Sequence, residues 1–360
     1  MKVYAVGGSV RDELLGQPVT DHDWVVIGAT PEEMTRRGFR PVGADFPVFL
    51  HPDTHEEYAL ARTERKTAPG YRGFTFHASP DVTLEEDLRR RDLTINAMAR
   101  AEDGTLIDPF GGEADLRLGL LRHVSEAFAE DPVRILRVSR FAARLGFRIA
   151  DETLLLMRQM VASGEADHLV PERVWQEVSR GLQERQPSRM LAALDACGAL
   201  RRVMPELTAA LVERGHRLDV AATAGLALPE RFALLTLGLP EGEVQSLADR
   251  LRAPSDCRDL ALLVARESIL GDPLAGLGPE PLLALLERCD AFRRPERLQG
   301  LLRVLAVGSP ASPGATSRVA AALAAAKSVD AAAVARSTPE NIAGALHAAR
   351  LEAIAARLAR

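Results

Sequence analysis

The feature that most limits the fold of this chain is a change of pattern at Glu130. After it the sequence is helical almost throughout, with prolines separating helices of ordinary length. Before it, short runs rich in β-branched or aromatic residues predict strands at 3–6, 24–27, 48–50 and 57–61. Helices are predicted at 9–15 and 84–99, and a long mobile loop at 63–80. We therefore expect an α/β head followed by an elongated all-α body.

Size and composition favour a globular protein of two or three domains, because 360 residues exceed one ordinary core. The net charge is −5, whereas nucleic-acid-binding proteins are usually basic. An RNA-binding surface would thus require positive charge segregated onto one face. Three cysteines without a CxxC pair indicate a reduced compartment and no structural zinc. With no signal peptide or transmembrane stretch in the sequence, we expect a cytoplasmic protein that does not enter a membrane.

A glycine-rich turn near the N-terminus is the first candidate site. Residues 7–12 read GGSVRD, so a strand ends at two glycines and a helix begins at Ser9. Glycines allow close approach of the backbone to a phosphate, and the helix N-terminus offers free N–H groups to it. Arg11 lies in the first turn, where it can reach the same anion, and Gly16 can end the helix. Two glycines alone also suit an ordinary turn.

Two carboxylates follow this helix at the start of the second predicted strand. Asp21 and Asp23 are separated by one residue, so their side chains share one side of the strand. Oxygen-rich sites of this kind hold Mg²⁺, and a pair of ions can activate a hydroxyl and neutralise a leaving group. A lone DxD is often only a solvated strand end. The joint pattern of strand, glycines, helix and DxD is harder to explain as scaffold.

The sequence GGSVRDELLG followed by DHD resembles the signature of class II tRNA nucleotidyltransferases and bacterial poly(A) polymerases, in the DNA polymerase beta superfamily. The resemblance implies a nucleotidyltransferase head with a small mixed or antiparallel sheet and helices. It implies that Asp21 and Asp23 bind catalytic Mg²⁺ and that Gly8 and Arg11 contact the nucleoside triphosphate. It also implies a third carboxylate on a neighbouring strand, for which Glu57 is the candidate.

A second motif is the run RRRD at residues 89–92, inside the predicted helix 84–99. It resembles the ribose-reading motif of the family, in which Asp92 would accept a hydrogen bond from a 2′-OH and Arg91 would meet a phosphate. An exposed helix face is the alternative, since nearly all basic residues of this chain are arginine.

A third motif begins at Asp131, where Asp followed by Pro is the usual start of a helix. Arginines at 134, 137, 140 and 144 then share one helix face, and no acidic residue lies between Asp131 and Asp151 to pair with them. A polyanionic partner would explain this row. The motif resembles the amino-acid template of the family, in which Asp131 and Arg134 read the incoming base while Arg137 and Arg140 hold the nucleotide. Asp131 and Arg134, three residues apart, can also pair with each other.

The resemblance predicts three segments: a catalytic head at 1–128, a helical neck with the nucleotide-selecting motif at 129–205, and a helical body and tail at 206–360. Several relatives carry a C-terminal phosphohydrolase domain with a His-Asp dyad. This chain reads FALLTLG at 232–238 where the dyad is expected, and the only histidines from 209 onward are His216 and His347. The C-terminal region is therefore degenerate relative to that domain.

The expected activity is template-independent addition of CCA to the 3′ end and acceptor arm of tRNA, with CTP and ATP as substrates and release of pyrophosphate. Residues 56–66 and the following loop resemble the CCA-adding branch of the family more than poly(A) polymerases. Three alternatives stay open: addition of CC or A alone, poly(A) synthesis, and a non-catalytic RNA-binding protein.

Overall fold

The computed structural model describes residues 1–19, 22–42, 48–66, 74–268, 276–308 and 314–359. The described residues form two compact units, Met1–Thr208 and Ala209–Arg360. The boundary between these units lies close to the one predicted between residues 205 and 206. The three segments, divided at 128/129 and 205/206, stay a prediction.

The strands that the structure describes all belong to the first unit. They are β1 (Lys2–Val6), β2 (Asp23–Ile27), β3 (Arg40–Val42), β4 (Val48–Leu50), β5 (Glu57–Leu60), β6 (Arg62–Lys66), β7 (Phe74–Ala78), β8 (Ala99–Ala101), β9 (Leu106–Ile107), β10 (Leu120–Leu121) and β11 (Arg148–Ile149). Its helices are α1 (Gly8–Leu14), α2 (Pro31–Arg36), α3 (Leu84–Arg89), α4 (Gly112–Leu118), α5 (Val133–Leu145), α6 (Asp151–Ala162), α7 (Pro171–Gln183), α8 (Pro187–Ala196) and α9 (Ala199–Val203).

Among the described residues, a mixed sheet in the order β3-β4-β5-β2-β1-β8-β9 forms the head. Strand β1 is antiparallel to both β2 and β8, while β2 and β5 run parallel. Because successive side chains alternate between the faces of a strand, this sheet has a core on each side. One core includes Val6 and Val25, and the other includes Val26 and Phe49. The prediction of an α/β head with a small mixed sheet is thus confirmed.

The predicted helix at 84–99 was wrong, because α3 ends at Arg89. The α3 residue Asp87 is completely buried and accepts hydrogen bonds from Arg90 and Arg91, which fold back onto it. The chain then makes a 3-10 turn at Thr94–Asn96 and enters β8. The motif at 89–92 therefore lies at a helix end and the turn after it.

The loop predicted at 63–80 was also wrong in its described part. Strands β6 and β7 pair antiparallel there, with Arg62 opposite Ala78. Residues 67–73 lie outside the described residues. The Phe and Thr residues of β7 suit a pleated strand, and this preference outweighs the nearby glycines and prolines.

Helix α5 is the centre of the helical part of the first unit. It packs against α7 and α8, and Ile135, Val138 and Ala143 on α5 are fully buried. The opposite side of α5 carries its arginines. This amphipathic arrangement fixes the orientation of the basic face, because rotating the helix would expose its apolar residues.

The second unit is helical throughout its described part. Its helices are α10 (Leu211–Thr223), α11 (Leu228–Thr236), α12 (Glu241–Leu251), α13 (Ser255–Ser268), α14 (Pro279–Arg288), α15 (Pro295–Gly308), α16 (Ala315–Lys327), α17 (Ala331–Ser337) and α18 (Ile342–Leu358). Helix α11 packs against α13 and α15. The buried guanidinium of Arg214 donates to the carbonyl oxygens of Leu235 and Leu237, at 2.7 and 2.8 Å, and so satisfies the end of α11. Among the described helices, none combines the length and apolar character needed to cross a membrane.

Candidate active site

A cleft of about 670 Å³ lies in the first unit, between the head and the helices that follow it. Arginines dominate the described residues that line this arginine cleft: Arg11, Arg90, Arg91, Arg134, Arg137, Arg140, Arg144, Arg173 and Arg180. The remaining lining residues are Gly7, Gly8, Asp23, Asp92, Asn96, Asp131 and Phe141. A chain with a net charge of −5 therefore concentrates positive charge in one cavity, as an anionic ligand requires.

The end of β1 and the start of α1 form one wall of the cleft. Gly7 adopts a φ of +73°, which strains any residue other than glycine, and a Cβ at this position would also displace Nη1 of Arg91, 2.8 Å away. Arg11 is buried, and its guanidinium donates to both carboxylate oxygens of Asp12 and, at 2.6 Å, to Oδ1 of Asn96. Burial lowers the pKa of Arg11. These contacts hold the Arg11 side chain at the cleft wall.

The carboxylate at the cleft comes from the first residue of β2. Asp23 pairs with Val6 across β1 and with Glu57 across β5, and all three side chains therefore share one face of the sheet. Asp23 and Glu57 are both exposed, so their oxygens are open to a ligand. Asp21 lies outside the described residues, and the described ones contain no cluster of three or more potential metal ligands. Carboxylate oxygens on adjacent strands are nevertheless the donor type that suits a hard divalent cation.

The motif at 89–92 is built on two buried carboxylates. Asp87 holds Arg90 and Arg91, while Nε of Arg91 is buried without a hydrogen-bond partner among the described residues. Asp92 accepts hydrogen bonds from the Leu93 N–H at 2.8 Å and from Nε of Arg137 at 2.8 Å. Burial acts to raise the pKa of Asp92, but the positive charge of Arg137, the hydrogen bonds from Asn96 and Arg137 and the charge of Arg134 together outweigh it and hold the pKa well below its usual range. Asp92 is therefore ionised at neutral pH.

Asp131 is anchored from two directions. Its carboxylate accepts the Val133 N–H at 3.0 Å, at the start of α5, and two hydrogen bonds from Arg173 of α7 at 3.2 and 2.9 Å. Arg134 donates instead to the carbonyl oxygens of Ala127 and Arg90, at 2.8 and 2.7 Å. The two residues thus line the same cleft, but the partner that fixes Asp131 is Arg173.

The arginine row of α5 pairs with carboxylates from other elements. Arg137 binds Asp92, and this charge raises the pKa of Arg137. Arg140 donates to Oε2 of the buried Glu177 at 2.6 Å. Arg144 donates to Oδ2 of Asp12 at 2.9 Å. The row has no acidic partner on its own helix, as the sequence indicated, and the structure supplies the partners from other elements.

Sequence reasoning missed several residues of the arginine cleft. Arg173 and Arg180 come from α7, and Asn96 comes from the turn before β8. On a sequence, Arg173 and Glu177 look like an ordinary i,i+4 surface pair. In the structure α7 packs against α5, Arg173 lines the cleft, and Glu177 pairs with Arg140.

Two protein families match the first unit. Residues 3–122 match the family described as "Poly A polymerase head domain". Residues 146–211 match the family described as "Probable RNA and SrmB- binding site of polymerase A". The stretch between them contains Asp131 and the arginine row of α5.

Full-length relatives extend the similarity to the second unit. The chain is 55% identical to the "Multifunctional CCA protein" of Laribacter hongkongensis over 99% of this chain and 98% of that protein. It is 53% identical to the protein of the same name from Burkholderia cenocepacia, over 100% and 99%. A solved structure, "Bacillus stearothermophilus CCA-adding enzyme in complex with CTP", is 26% identical with a TM-score of 0.72, covering 98% of this chain and 88% of that one.

The alignment with the Laribacter hongkongensis protein also shows a difference in length. It spans 399 positions, which exceeds the 360 residues of this chain by 39. At least 39 positions of the alignment therefore have no counterpart in this chain.

Proposed function

This chain belongs to the family of CCA-adding tRNA nucleotidyltransferases, and from that membership we propose how the arginine cleft carries out the reaction of the family. The protein adds C, C and A to the 3′ end of tRNA, uses CTP and ATP, and releases pyrophosphate. The observation that carries the assignment is the cleft itself. It combines a helix N-terminus at Gly8, a carboxylate at Asp23 and the Asp131–Arg134 pair of positions in one cavity.

The reaction is metal-dependent, and we propose Mg²⁺ as the metal. Asp21 and Asp23 would hold it, with Glu57 as a third carboxylate. The shared strand face of Asp23 and Glu57 supports this set. Bound there, Mg²⁺ would lower the pKa of the attacking 3′-hydroxyl and neutralise charge on the leaving group.

The triphosphate binds at the other side of the cleft from the base. The first N–H groups of α1 have no partner within the helix and receive no side-chain cap, so they can donate to a phosphate, and glycine at position 8 allows close approach. Arg11 supplies positive charge beside them. Nε of Arg91 is a buried donor without a hydrogen-bond partner among the described residues, and a phosphate oxygen that reached it would satisfy it. Asp92 lies beside it and accepts a hydrogen bond from the ribose.

Base selection uses Asp131 and Arg134, with Arg137 and Arg140 holding the nucleotide against α5. A carboxylate accepts hydrogen bonds and a guanidinium donates them. Cytosine and adenine each present an amino donor next to a ring acceptor, which matches this pair. Uracil and guanine present a carbonyl where the amino group should be. The anchoring of Asp131 by Arg173 supports a fixed acceptor, because a mobile carboxylate would discriminate poorly.

We propose a cytoplasmic location for the reaction. Cys197, Cys257 and Cys289 are free and buried. Free thiols suit a reducing compartment.

The decisive experiment is incorporation of radiolabelled CTP and ATP into tRNA that lacks its 3′ end. Addition of two C residues and one A per tRNA is the expected result. Incorporation of CTP alone or ATP alone would show a partial reaction, and long A tracts would show poly(A) synthesis. Absence of any incorporation, with the fold intact by circular dichroism, would contradict catalysis altogether.

A further inference from the structure

The arginines of the cleft differ in whether the protein already neutralises them. Arg137, Arg140, Arg144 and Arg173 each bind a carboxylate. The other lining arginines outside α7 are bonded as well, Arg11, Arg90 and Arg91 to carboxylates and Arg134 to carbonyl oxygens. Within the described part of the chain, Arg180 alone of the nine has no hydrogen bond or ion pair.

The position of Arg180 explains why it has no carboxylate partner among the described residues. On α7 it lies three residues after Glu177 and four before Glu184, both at a spacing at which side chains on a helix can pair. Glu177, however, is engaged by Arg140 at 2.6 Å and lies 3.8 Å from Arg137. Glu184 lies 3.8 Å from Arg140. The carboxylates that would neutralise Arg180 are thus turned toward α5, and Arg180 faces the cleft as an exposed cation.

The surroundings of Arg180 define which part of a ligand it meets. Arg173, which holds Asp131, lies seven residues earlier on α7, and seven residues of helix span about 10 Å. Moving along α7 from Arg173 to Arg180 leads away from Asp131 and toward Arg140. Beyond it, Arg144 binds Asp12 of α1. Arg180 therefore lies on the phosphate side of the cleft, far from the base-reading position.

We propose that Arg180 binds the β- and γ-phosphates of the incoming nucleotide and the pyrophosphate that they become. The inference rests on the proposed function, because it takes CTP and ATP as the ligands. Two negatively charged phosphates supply the counter-charge that Glu177 and Glu184 do not. An arginine fork also suits phosphate oxygens geometrically. Because both nucleotides carry the same triphosphate, Arg180 contributes equally to the binding of each and does not affect selection between them.

A purely structural role must be distinguished from this one. Arg180 lies in the last turn of α7, where a cation interacts favourably with the helix dipole. Its loss would then lower stability without changing ligand binding. Arg185 is the matched control, since it is an exposed arginine just beyond the end of α7 and does not line the cleft. Arg180→Lys keeps the charge near the helix end but loses the fork.

The test measures binding of inorganic pyrophosphate with Mg²⁺ by titration calorimetry, and KM values for CTP, ATP and tRNA, on wild type, Arg180→Ala, Arg180→Lys and Arg185→Ala. We expect Arg180→Ala to raise the Kd of pyrophosphate and the KM of both nucleotides by roughly tenfold, which corresponds to about 1.4 kcal/mol. Arg180→Lys should be intermediate, and Arg185→Ala unchanged. The KM for tRNA should not move.

Two results would overturn the proposal. Equal pyrophosphate affinity in Arg180→Ala and Arg185→Ala would show a structural role only. An increase in the KM for tRNA without a change in pyrophosphate affinity would assign Arg180 to the RNA backbone. The calorimetric measurement needs no turnover, so failure of the wild-type protein to incorporate nucleotides would contradict the proposed function while the role of Arg180 is still decided.

Discussion

Replacing Asp131 by Asn tests the proposed basis of nucleotide selection directly. The substitution keeps one oxygen that can accept the Val133 N–H, so the start of α5 should survive. It replaces the other oxygen by an amide NH₂, which cannot accept from Arg173. The substitution removes one charge-assisted hydrogen bond from Arg173 and turns the amide N–H group toward the Arg173 guanidinium. We expect a cost of about 1–3 kcal/mol in the free energy of unfolding, small against the 5–15 kcal/mol of a typical domain.

The effect on selection should be separate from this loss of stability. By analogy with base readout in DNA, a mismatched donor–acceptor edge costs about 1–3 kcal/mol. Removing that penalty should raise kcat/KM for UTP and GTP, relative to kcat/KM for CTP and ATP, by roughly 5- to 150-fold. Nucleotidyl transfer itself should persist, because the proposed metal and phosphate sites are formed by other residues.

The assay is kcat/KM for all four nucleotides with tRNA lacking its 3′ end, alongside chemical denaturation. Arg173→Gln is the matched control, since it breaks the same ion pair and leaves the Asp131 carboxylate in place. It should lose comparable stability and retain most of the preference for CTP and ATP. Wild-type preference in Asp131→Asn would refute the reasoning and move base selection to other residues.

Three further outcomes are expected. Asp23→Ala, and likewise Asp21→Ala, should abolish incorporation of both nucleotides with an unchanged circular dichroism spectrum; activity within tenfold of wild type would remove these residues from the metal site. Asp92 has a lowered pKa, so its contribution to stability is complete above the unfolded pKa near 3.9 and declines as the pH falls toward the lower folded value. Denaturation at pH 5 and pH 3 should therefore show a smaller loss on acidification in Asp92→Asn than in wild type, and equal losses would contradict the ion pair with Arg137. The purified protein should show no phosphatase or 2′,3′-cyclic phosphodiesterase activity with Mg²⁺, Mn²⁺ or Ni²⁺, since FALLTLG occupies 232–238; hydrolysis that survives Asp21→Ala would speak against this.

Local signals in the sequence predicted the elements of the head that depend on local chemistry. The strand at 24–27 and the helix after Gly8 follow from β-branched residues and from the two glycines. The helix at 84–99 failed because its end depends on Asp87, a buried carboxylate that draws Arg90 and Arg91 back. Burial of a charged residue in a helix is a tertiary effect, and helical periodicity gives no sign of it.

The arrangement of the candidate site shows the same limit. Spacing correctly put the arginines of α5 on one face, but their partners lie 132, 45 and 37 residues away, in the pairs Arg144–Asp12, Arg137–Asp92 and Arg140–Glu177. No analysis within one helix can find contacts of that range. For the same reason the sequence did not indicate that Arg173 and Arg180 line the cleft. Their place there depends on the packing of α7 on α5.

The pairing of cleft arginines with buried carboxylates also governs how this surface can change over generations. Loss of Arg137 alone leaves the buried carboxylate of Asp92 without its ion-pair partner, and loss of Asp92 alone removes the nearest carboxylate from the partly exposed guanidinium of Arg137. Either single change is costly, whereas the two together remove the stranded charge, so their effects are not additive. Arg140 and Glu177 are coupled in the same way. Substitutions at these positions should therefore be tolerated as pairs, whereas a change at Arg180, which has no such bond in the described structure, leaves no buried carboxylate without its partner.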